Sequence, residues 1–350
     1  MKNKSNLRVV ALILLLAMLL SGCRTVELAP PETTEPETAA DVPETPAEEP
    51  AEPETPAEPD EPAETPAEPE TPAEPETPDE PEEIPDPEFP FTLRCGQAFV
   101  YDVEAECLTA LKGRGERLSP ASVTKLLSIL TALDYVSPET LVTPGDEQML
   151  VAADSSRAFV NSEHTLTATM LIEGMLLPSG NDAACALAAA AGRAAAGDES
   201  LSGVSAVTVF TEKMNEKAAA LGMTGSHFVT PDGYYDENHY TTIEDMAILT
   251  RAAWDCGEIR AYCGLPFADV TYASGHTNHW ENTNLMLQES TAWYSPYVTG
   301  IKTGSLTGAY CLVCSIEKDG KTYLAGVFTG QNDQDRYGDM QQIVNWLTAE

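Results

Sequence analysis

The stretch that decides the fold is Pro120-Ala-Ser122-Val-Thr-Lys125-Leu-Leu, which opens a segment with helical periodicity. The pattern predicts a helix from residue 120 to about residue 135. Because side chains three residues apart on a helix share a face, Ser122 and Lys125 are expected to be neighbours at its start. Four apolar side chains follow at the 3–4 spacing of one buried face: Leu126, Ile129, Leu130 and Leu133.

This Ser-Lys pair has the residue types of a nucleophilic site. A serine hydroxyl needs a base to become a good nucleophile. A lysine can serve as that base only if its pKa falls, and burial or a nearby positive charge lowers it. Lys302 could supply such a charge. The pair therefore predicts Ser122 as nucleophile and Lys125 as base, although by itself it is also compatible with ordinary helix capping.

Two further motifs follow in a fixed order. Ser179-Gly-Asn181 lies in a turn between two predicted helices, where Ser179 could pass a proton to a leaving group and Asn181 could bind a peptide carbonyl. Helix capping by Asn181 or Asp182 explains the turn equally well. Lys302-Thr303-Gly304 ends a predicted strand, where the first two residues suit a carboxylate and the glycine admits substrate backbone. A lysine protecting an edge strand is the alternative.

The order of predicted elements is strands, helices, strands and a last helix. Segments 97–103 and 107–111 suggest a first hairpin, and segments 297–303, 309–317 and 322–329 suggest three later strands. Helices are expected at 167–177, 182–191, 207–221 and 338–347, and after a Thr241-x-x-Glu244 capping box up to Trp254. The sequence thus predicts an α/β fold in which both ends of the catalytic domain form an antiparallel sheet around an inserted all-α lobe.

The first 23 residues have the pattern of a bacterial lipoprotein signal. Lys2, Lys4 and Arg8 precede an apolar run from residue 9 to 20, which is short for a membrane span. The run ends in Leu20-Ser-Gly-Cys23, which looks like a lipobox. We therefore expect lipidation of Cys23 and an extracytoplasmic enzyme anchored to the bacterial membrane, with an ordinary signal peptide as the alternative.

Residues 24–90 form an acidic, proline-rich segment of Glu-Thr-Pro-Ala-Glu-Pro variants. Between residues 27 and 90 lie 24 of the 56 acidic residues and 19 of the 26 prolines. Such a composition predicts a disordered, extended tether of roughly 180 Å at about 3.1 Å per residue. The tether holds much of the net charge of −37, and about −17 remains for residues 91–350, the predicted catalytic domain. The absence of a basic surface makes nucleic acid an unsuitable partner.

The remaining cysteines and histidines suggest no metal or cofactor. Seven cysteines follow Cys23, so a monomer keeps at least one free thiol, and Cys256 and Cys263 are close enough in sequence to pair. Cys311 and Cys314 lie in a predicted buried strand and are interpreted as small core residues. His276 and His279 have ligand-like spacing but lack the H-E-x-x-H pattern of a metallopeptidase.

The three motifs together resemble those of the low-molecular-mass penicillin-binding proteins, the serine-type D-alanyl-D-alanine carboxypeptidases. Segments 238–242 and 245–247, Asn-His-Tyr-Thr-Thr and Asp-Met-Ala, add to this likeness. The resemblance implies a transpeptidase-like fold and removal of the terminal D-Ala from peptidoglycan stem peptides through an ester on Ser122. It also implies acylation by β-lactams and an oxyanion held by the backbone N–H groups of Ser122 and Ser305.

Two departures from the family pattern and two alternative functions accompany this prediction. Neither the β-rich second domain nor the C-terminal anchor of many relatives is expected, and residues 305–309 do not match the usual sequence after Lys-Thr-Gly.

A serine β-lactamase shares the motifs and would need a deacylating carboxylate, for which Glu212 and Glu216 are the candidates. A non-catalytic lipoprotein that binds cell-wall peptide is the other alternative.

Overall fold

The computed structural model describes residues 86–349. The predicted signal peptide, Cys23 and nearly all of the tether lie outside these residues. Within the described part of the chain, no helix has the length and apolarity needed to cross a membrane.

A five-stranded antiparallel sheet forms the centre of the domain. Its strands are β1 (Gln97–Asp102), β2 (Cys107–Lys112), β7 (Val298–Leu306), β8 (Ala309–Lys318) and β9 (Lys321–Gly330). Their order across the sheet is β2-β1-β9-β8-β7, so the sheet combines the predicted first hairpin with the three late strands. Asp319 and Gly320, both at positive φ, form the predicted turn between β8 and β9.

Helices cover both faces of this sheet, and most of them lie between β2 and β7 in the chain. Two short ladders accompany them, β3 (Leu141–Val142) with β4 (Leu166–Thr167) and β5 (Phe267–Thr271) with β6 (Thr277–Glu281). The helices are α1 (Thr124–Ala132), α2 (Ala168–Leu176), α3 (Asn181–Ala196), α4 (Gly203–Leu221), α5 (Ile243–Asp255), α6 (Gly257–Tyr262) and α7 (Asp333–Thr348).

The two faces of the sheet belong to two separate cores. Cys311 packs with the large core of the helical lobe, whereas Cys314, three residues along β8, packs with the core beneath α7. Side chains three apart on a strand point to opposite faces, so the interpretation of both cysteines as small core residues is confirmed. The predicted arrangement of an α-helical lobe on an antiparallel sheet is confirmed as well.

Some local predictions differ from the structure. The N-cap of α5 is Thr242, one residue after the predicted one, and its hydroxyl accepts from Asp245 N–H. The Asp245 carboxylate accepts from Gly225 N–H and does not complete a capping box. Glu244 instead accepts from Gly115 N–H. Lys302 lies in the interior of β7 and not at its end, because the strand continues to Leu306. The sequence analysis also missed α6 and the β5–β6 hairpin.

The first described residues already pack on the domain, a few residues before the predicted boundary at residue 91. Asp86 forms a salt bridge with Arg114, and Pro87 O accepts from Leu111 N–H of the edge strand β2. Phe89 and Phe91 lie against Trp346 of α7, with ring centroids about 6 Å apart. The Pro87–Leu111 hydrogen bond satisfies one backbone N–H group of the edge strand β2.

Helices α3 and α4 cross so closely at Gly192 that a side chain does not fit. A Cβ atom at Gly192 would lie 1.9 Å from the carbonyl oxygen of Ala206. We expect Gly192→Ala to lower the free energy of unfolding by about 1–3 kcal/mol, because the helices must move apart. Urea denaturation measures this. Gly257→Ala is the matched control, since its Cβ meets no atom within 4 Å, and an equal loss in both variants would contradict the explanation.

Candidate active site

The three sequence motifs converge on one cleft, where Lys125 is the central group. Its Nζ atom donates to Ser122 Oγ at 2.8 Å, to Asn181 Oδ1 at 2.8 Å and to the backbone oxygen of Asp232 at 2.9 Å. Lys125 is fully buried. The arrangement places an amine directly against the Ser122 hydroxyl, which is the geometry that a nucleophile and its base require.

A close contact between two backbone segments fixes the position of the Ser122 hydroxyl. Ser122 lies in a 3-10 turn (Ala121–Val123) that leads into α1, and Ala121 before it has a φ of +46°. A Cβ atom at Gly304 would lie 3.2 Å from Ser122 N and 3.1 Å from Pro120 O. Gly304 therefore leaves room for the turn that contains Ser122, and its predicted contact with substrate backbone stays a prediction.

Burial changes the acid–base behaviour of Lys125. Loss of hydration lowers its pKa to about 8 and is the largest cause, opposed by the negative charge of Asp232. The sequence predicted a contribution from Lys302 as well. The effect of one lysine on the other is evident in the pKa of Lys302 instead. Burial lowers that pKa most, and the charges of Lys125 and Arg336 lower it further.

A lysine pKa of about 8 sets the expected pH dependence. The protonated ammonium cannot accept the Ser122 proton, so the rate of acylation should fall about tenfold per pH unit below pH 8 and level off above it. Stopped-flow measurement of penicillin acylation between pH 6 and 9.5 checks this. A rate that stays constant from pH 6 to pH 8 would contradict the assignment of Lys125 as the base.

Lys302 and Ser179 form a second buried contact beside the first. Lys302 Nζ donates to Ser179 Oγ at 2.8 Å and to the backbone oxygen of Thr303 at 2.9 Å. Ser179 has a φ of +61°, a conformation that costs a non-glycine residue energy and is held by its surroundings. With an exposure of 1%, Lys302 is not a solvent-exposed lysine that protects the edge strand.

The turn after Ser179 is fixed by Asp182, whose role the sequence did not reveal. The N-cap of α3 is Gly180, which makes no side-chain hydrogen bond. The prediction that Asn181 or Asp182 caps this helix is therefore wrong. Asp182 is buried, and its carboxylate accepts from Ala158 N–H at 2.8 Å and from Val160 N–H at 3.0 Å. It thereby ties residues 154–160, one wall of the cleft, to the helix that carries Asn181.

The cleft divides at Ser122 into two cavities that share Ser122, Ser156 and Ser305. The first, of about 540 Å³, contains Asp154, Asn181 and Tyr234 and is called the Tyr234 cavity. The second, of about 670 Å³, contains Ser179, Thr303 and Arg336 and is called the Arg336 cavity. Ser122 thus has open space on both sides.

Arg336 is a site residue that the sequence analysis missed. Its Nη1 atom donates to Gly304 O and Ser305 Oγ, both at 2.9 Å, and Nη2 donates to Asp333. The side chain is buried, and its Nε–H has no hydrogen-bond partner. Arg336 comes from α7, far along the chain from the motifs, and no local pattern distinguishes it from a surface arginine.

His239 explains part of the likeness in segment 238–242. Its Nε2 atom lies 2.9 Å from Thr124 Oγ1, inside the domain beneath the helix that follows Ser122. Burial lowers the pKa of His239 to about 4, so the ring is neutral at physiological pH. The residue supports the helix that follows Ser122 and lines neither side of the cleft.

The other candidate residues named from the sequence do not contact the Ser122 hydroxyl and do not form the pairs that their spacing suggested. Glu212 and Glu216 are exposed on α4, where Glu216 pairs with Lys213, so neither faces the Ser122 hydroxyl. His276 contacts Ser274, and His279 contacts Asp269. Residues 86–349 contain no group of three or more His, Cys, Asp or Glu suited to a metal ion. Cys256 and Cys263 do not pair in the structure.

Comparison with known proteins identifies the family. The family of D-alanyl-D-alanine carboxypeptidases, peptidase family S11, matches residues 85–332, which is more than two thirds of the chain. The chain belongs to this family. The predicted fold and family are therefore confirmed.

Named relatives and solved structures agree with this assignment. The D-alanyl-D-alanine carboxypeptidase DacF of Bacillus subtilis is 28% identical over 68% of this chain and 58% of its own length. That of Streptomyces sp. strain K15 is 30% identical over 67% of this chain and 80% of its own. The crystal structure of the Streptomyces K15 DD-transpeptidase superposes with a TM-score of 0.66, at 26% identity, over 74% of this chain and 98% of that one.

Proposed function

We propose that this protein is a serine D-alanyl-D-alanine carboxypeptidase that removes the terminal D-Ala from peptidoglycan stem peptides. The observation that carries the proposal is the position of Lys125 Nζ, 2.8 Å from both Ser122 Oγ and Asn181 Oδ1. A buried amine of lowered pKa against a serine hydroxyl is a base poised to activate it.

The geometry supports a two-step acyl transfer. Ser122 Oγ attacks the scissile carbonyl while Lys125 accepts its proton, and the departing D-Ala nitrogen takes a proton through Ser179, which Lys302 contacts. The ester on Ser122 is then hydrolysed by water. The backbone N–H groups of Ser122 and Ser305 are proposed to hold the oxyanion, and the loss of one such donor typically costs about 100- to 1000-fold in rate.

The Arg336 cavity suits the carboxylate of the terminal D-Ala. Thr303 and Ser305 supply hydroxyls, and Arg336 supplies positive charge beside its partner Asp333. β7 is an edge strand of the sheet, so a peptide can lie along it and add a strand. A β-lactam carries a comparable carboxylate and is proposed to acylate Ser122 in the same way.

The location of the enzyme is the second part of the proposal. The family acts on the cell wall, outside the cytoplasm. The Leu-Ser-Gly-Cys23 sequence supports a lipoprotein anchored in the membrane through Cys23, with residues 24–85 as a spacer. Metabolic labelling with an alkyne fatty acid tests this: label on the wild type and none on Cys23→Ala is expected, and equal labelling would overturn the anchor.

The activity is tested by release of D-alanine from a peptide ending in D-Ala-D-Ala. Release by the wild type, none by Ser122→Ala and none from the same peptide ending in D-Ala-L-Ala would support the proposal. A fluorescent penicillin should label Ser122 in a long-lived ester. Rapid penicillin turnover would favour a β-lactamase, and absence of both release and labelling would favour a binding protein.

A further inference from the structure

A third cavity adjoins the Arg336 cavity and has no role in the proposed reaction. Its volume is about 490 Å³, within the range of roughly 300–1,000 Å³ that is usual for small-ligand sites. It is called the Phe267 cavity. Three residues line both cavities, so the two form one continuous groove: His279, Glu281 and Gln288. Ser122 does not line the Phe267 cavity, so a ligand there lies away from the nucleophile.

Exposed aromatic rings form one part of this cavity. Phe267 is 53% exposed although its side chain is wholly apolar, and the ring of His279 stacks on it with centroids 5.5 Å apart. His279 is held in this orientation by the contact of its Nδ1 atom with Asp269 Oδ1 at 2.8 Å. Tyr294, which is also exposed, adds a third ring. Flat rings left uncovered beside polar groups are typical of a binding surface.

Hydrogen-bonding groups form the other part of the cavity. Gln288 donates from Nε2 to Asn282 O at 2.7 Å, which fixes the orientation of its amide. Apart from His279, the charged side chains that line the cavity are the exposed carboxylates of Glu281 and Glu289. No lysine or arginine is among the described residues that line it. The Phe267 cavity therefore presents hydrogen-bond acceptors and disfavours an anionic ligand.

This combination of groups suits a neutral sugar. The C–H bonds on one face of a hexopyranose pack on an aromatic ring, and the hydroxyl groups around its edge donate to carboxylate and amide oxygens. An anionic polymer is disfavoured by the two carboxylates. A lipid chain would cover those carboxylates without giving them hydrogen-bond partners.

We infer that the Phe267 cavity is a saccharide-binding site for the N-acetylhexosamine glycan of the cell wall, on which the family acts. The choice of a wall glycan rests on the proposed function, whereas saccharide binding itself does not require the chemistry at Ser122. The terminal carboxylate of the proposed substrate ends in the adjoining Arg336 cavity, so the ligand of the Phe267 cavity is a separate strand and not an extension of the bound peptide. This second attachment raises the local concentration of stem peptides at Ser122.

Titration of the full-length protein with chitotetraose, a neutral oligomer of N-acetylglucosamine, tests the inference by saturation-transfer NMR. We expect the wild type to bind and Phe267→Ala to raise the Kd about five- to tenfold, because it removes a ring on which the sugar packs. Tyr297→Ala is the matched control and should keep the wild-type Kd, since Tyr297 is an exposed ring that lines none of the three cavities. Thermal unfolding shows whether each variant is folded.

A second probe, the amide of Nα-acetyl-lysine, distinguishes a sugar site from a site for an amine. Tighter binding of this ammonium probe, lost in Phe267→Ala, would overturn the inference in favour of a cationic ligand. Absence of chitotetraose binding, or an unchanged Kd in Phe267→Ala, would also overturn it, while D-alanine release by the wild type leaves the proposed function intact. Chitotetraose binding without D-alanine release would overturn the proposed function and leave the saccharide site in place.

Discussion

Replacing Lys125 by methionine is expected to slow acylation of Ser122 by about 100- to 10,000-fold, the range that a general base contributes. Methionine keeps the apolar stem of the side chain and removes the amine that lies 2.8 Å from Ser122 Oγ. Ser122 would then lack a base within hydrogen-bond reach on this side. The second-order rate of labelling by a fluorescent penicillin measures the loss.

Lys213→Met is the matched control for this experiment. Lys213 pairs with Glu216 on the outer face of α4, so its loss should leave acylation unchanged and have little effect on stability. Thermal unfolding of both variants shows whether each is folded. A folded Lys125→Met protein that is labelled within tenfold of the wild-type rate would exclude Lys125 as the base.

The second large effect is expected at Asp182. Its buried carboxylate accepts from the backbone N–H groups of Ala158, Val160 and Ala183. Asp182→Ala leaves these donors without their acceptor, and hydrogen bonds to a charged group contribute about 1.5–3 kcal/mol each. Part of this loss is offset because the substitution also removes the cost of burying the carboxylate. We expect the free energy of unfolding to fall by about 3–5 kcal/mol, measured by urea denaturation.

A loss of activity should accompany the loss of stability. The wall that contains Ser155 would be released from α3, and the contact of Ser155 with Asn181 would weaken. Glu212→Ala removes an exposed carboxylate from α4 and serves as the control, with no change expected beyond about 0.5 kcal/mol. A change in Asp182→Ala below 1 kcal/mol would show that other contacts hold the wall.

The parts of the molecule that the sequence predicts best have a strong local signal. The helix after Ser122 has a regular apolar face, and Asp319-Gly320 is a turn that only a few residue types adopt. Motif spacing and the likeness to a known family identified Ser122, Lys125, Ser179, Asn181 and Lys302, and the structure brings all five together. Their chemical roles stay predictions until the variants are measured.

The parts that the sequence did not reveal depend on contacts between distant segments. Arg336 donates to Gly304 and Ser305, which are distant in sequence, and no pattern in the residues around Arg336 indicates these contacts. The β5–β6 hairpin presents mostly exposed side chains, with Val270 and Trp280 as its buried ones, which is too sparse for a period-two pattern. The burial that lowers the pKa of Lys125 likewise exists only after folding.

The order of strands also sets where the chain enters the domain relative to the cleft. Asp86 and Pro87 contact Arg114 and Leu111 at the β2 edge of the sheet. Lys302 lies on β7 at the opposite edge, four strand spacings or about 19 Å away across the sheet. The chain before Asp86 therefore joins the domain at the edge of the sheet that is farthest from β7.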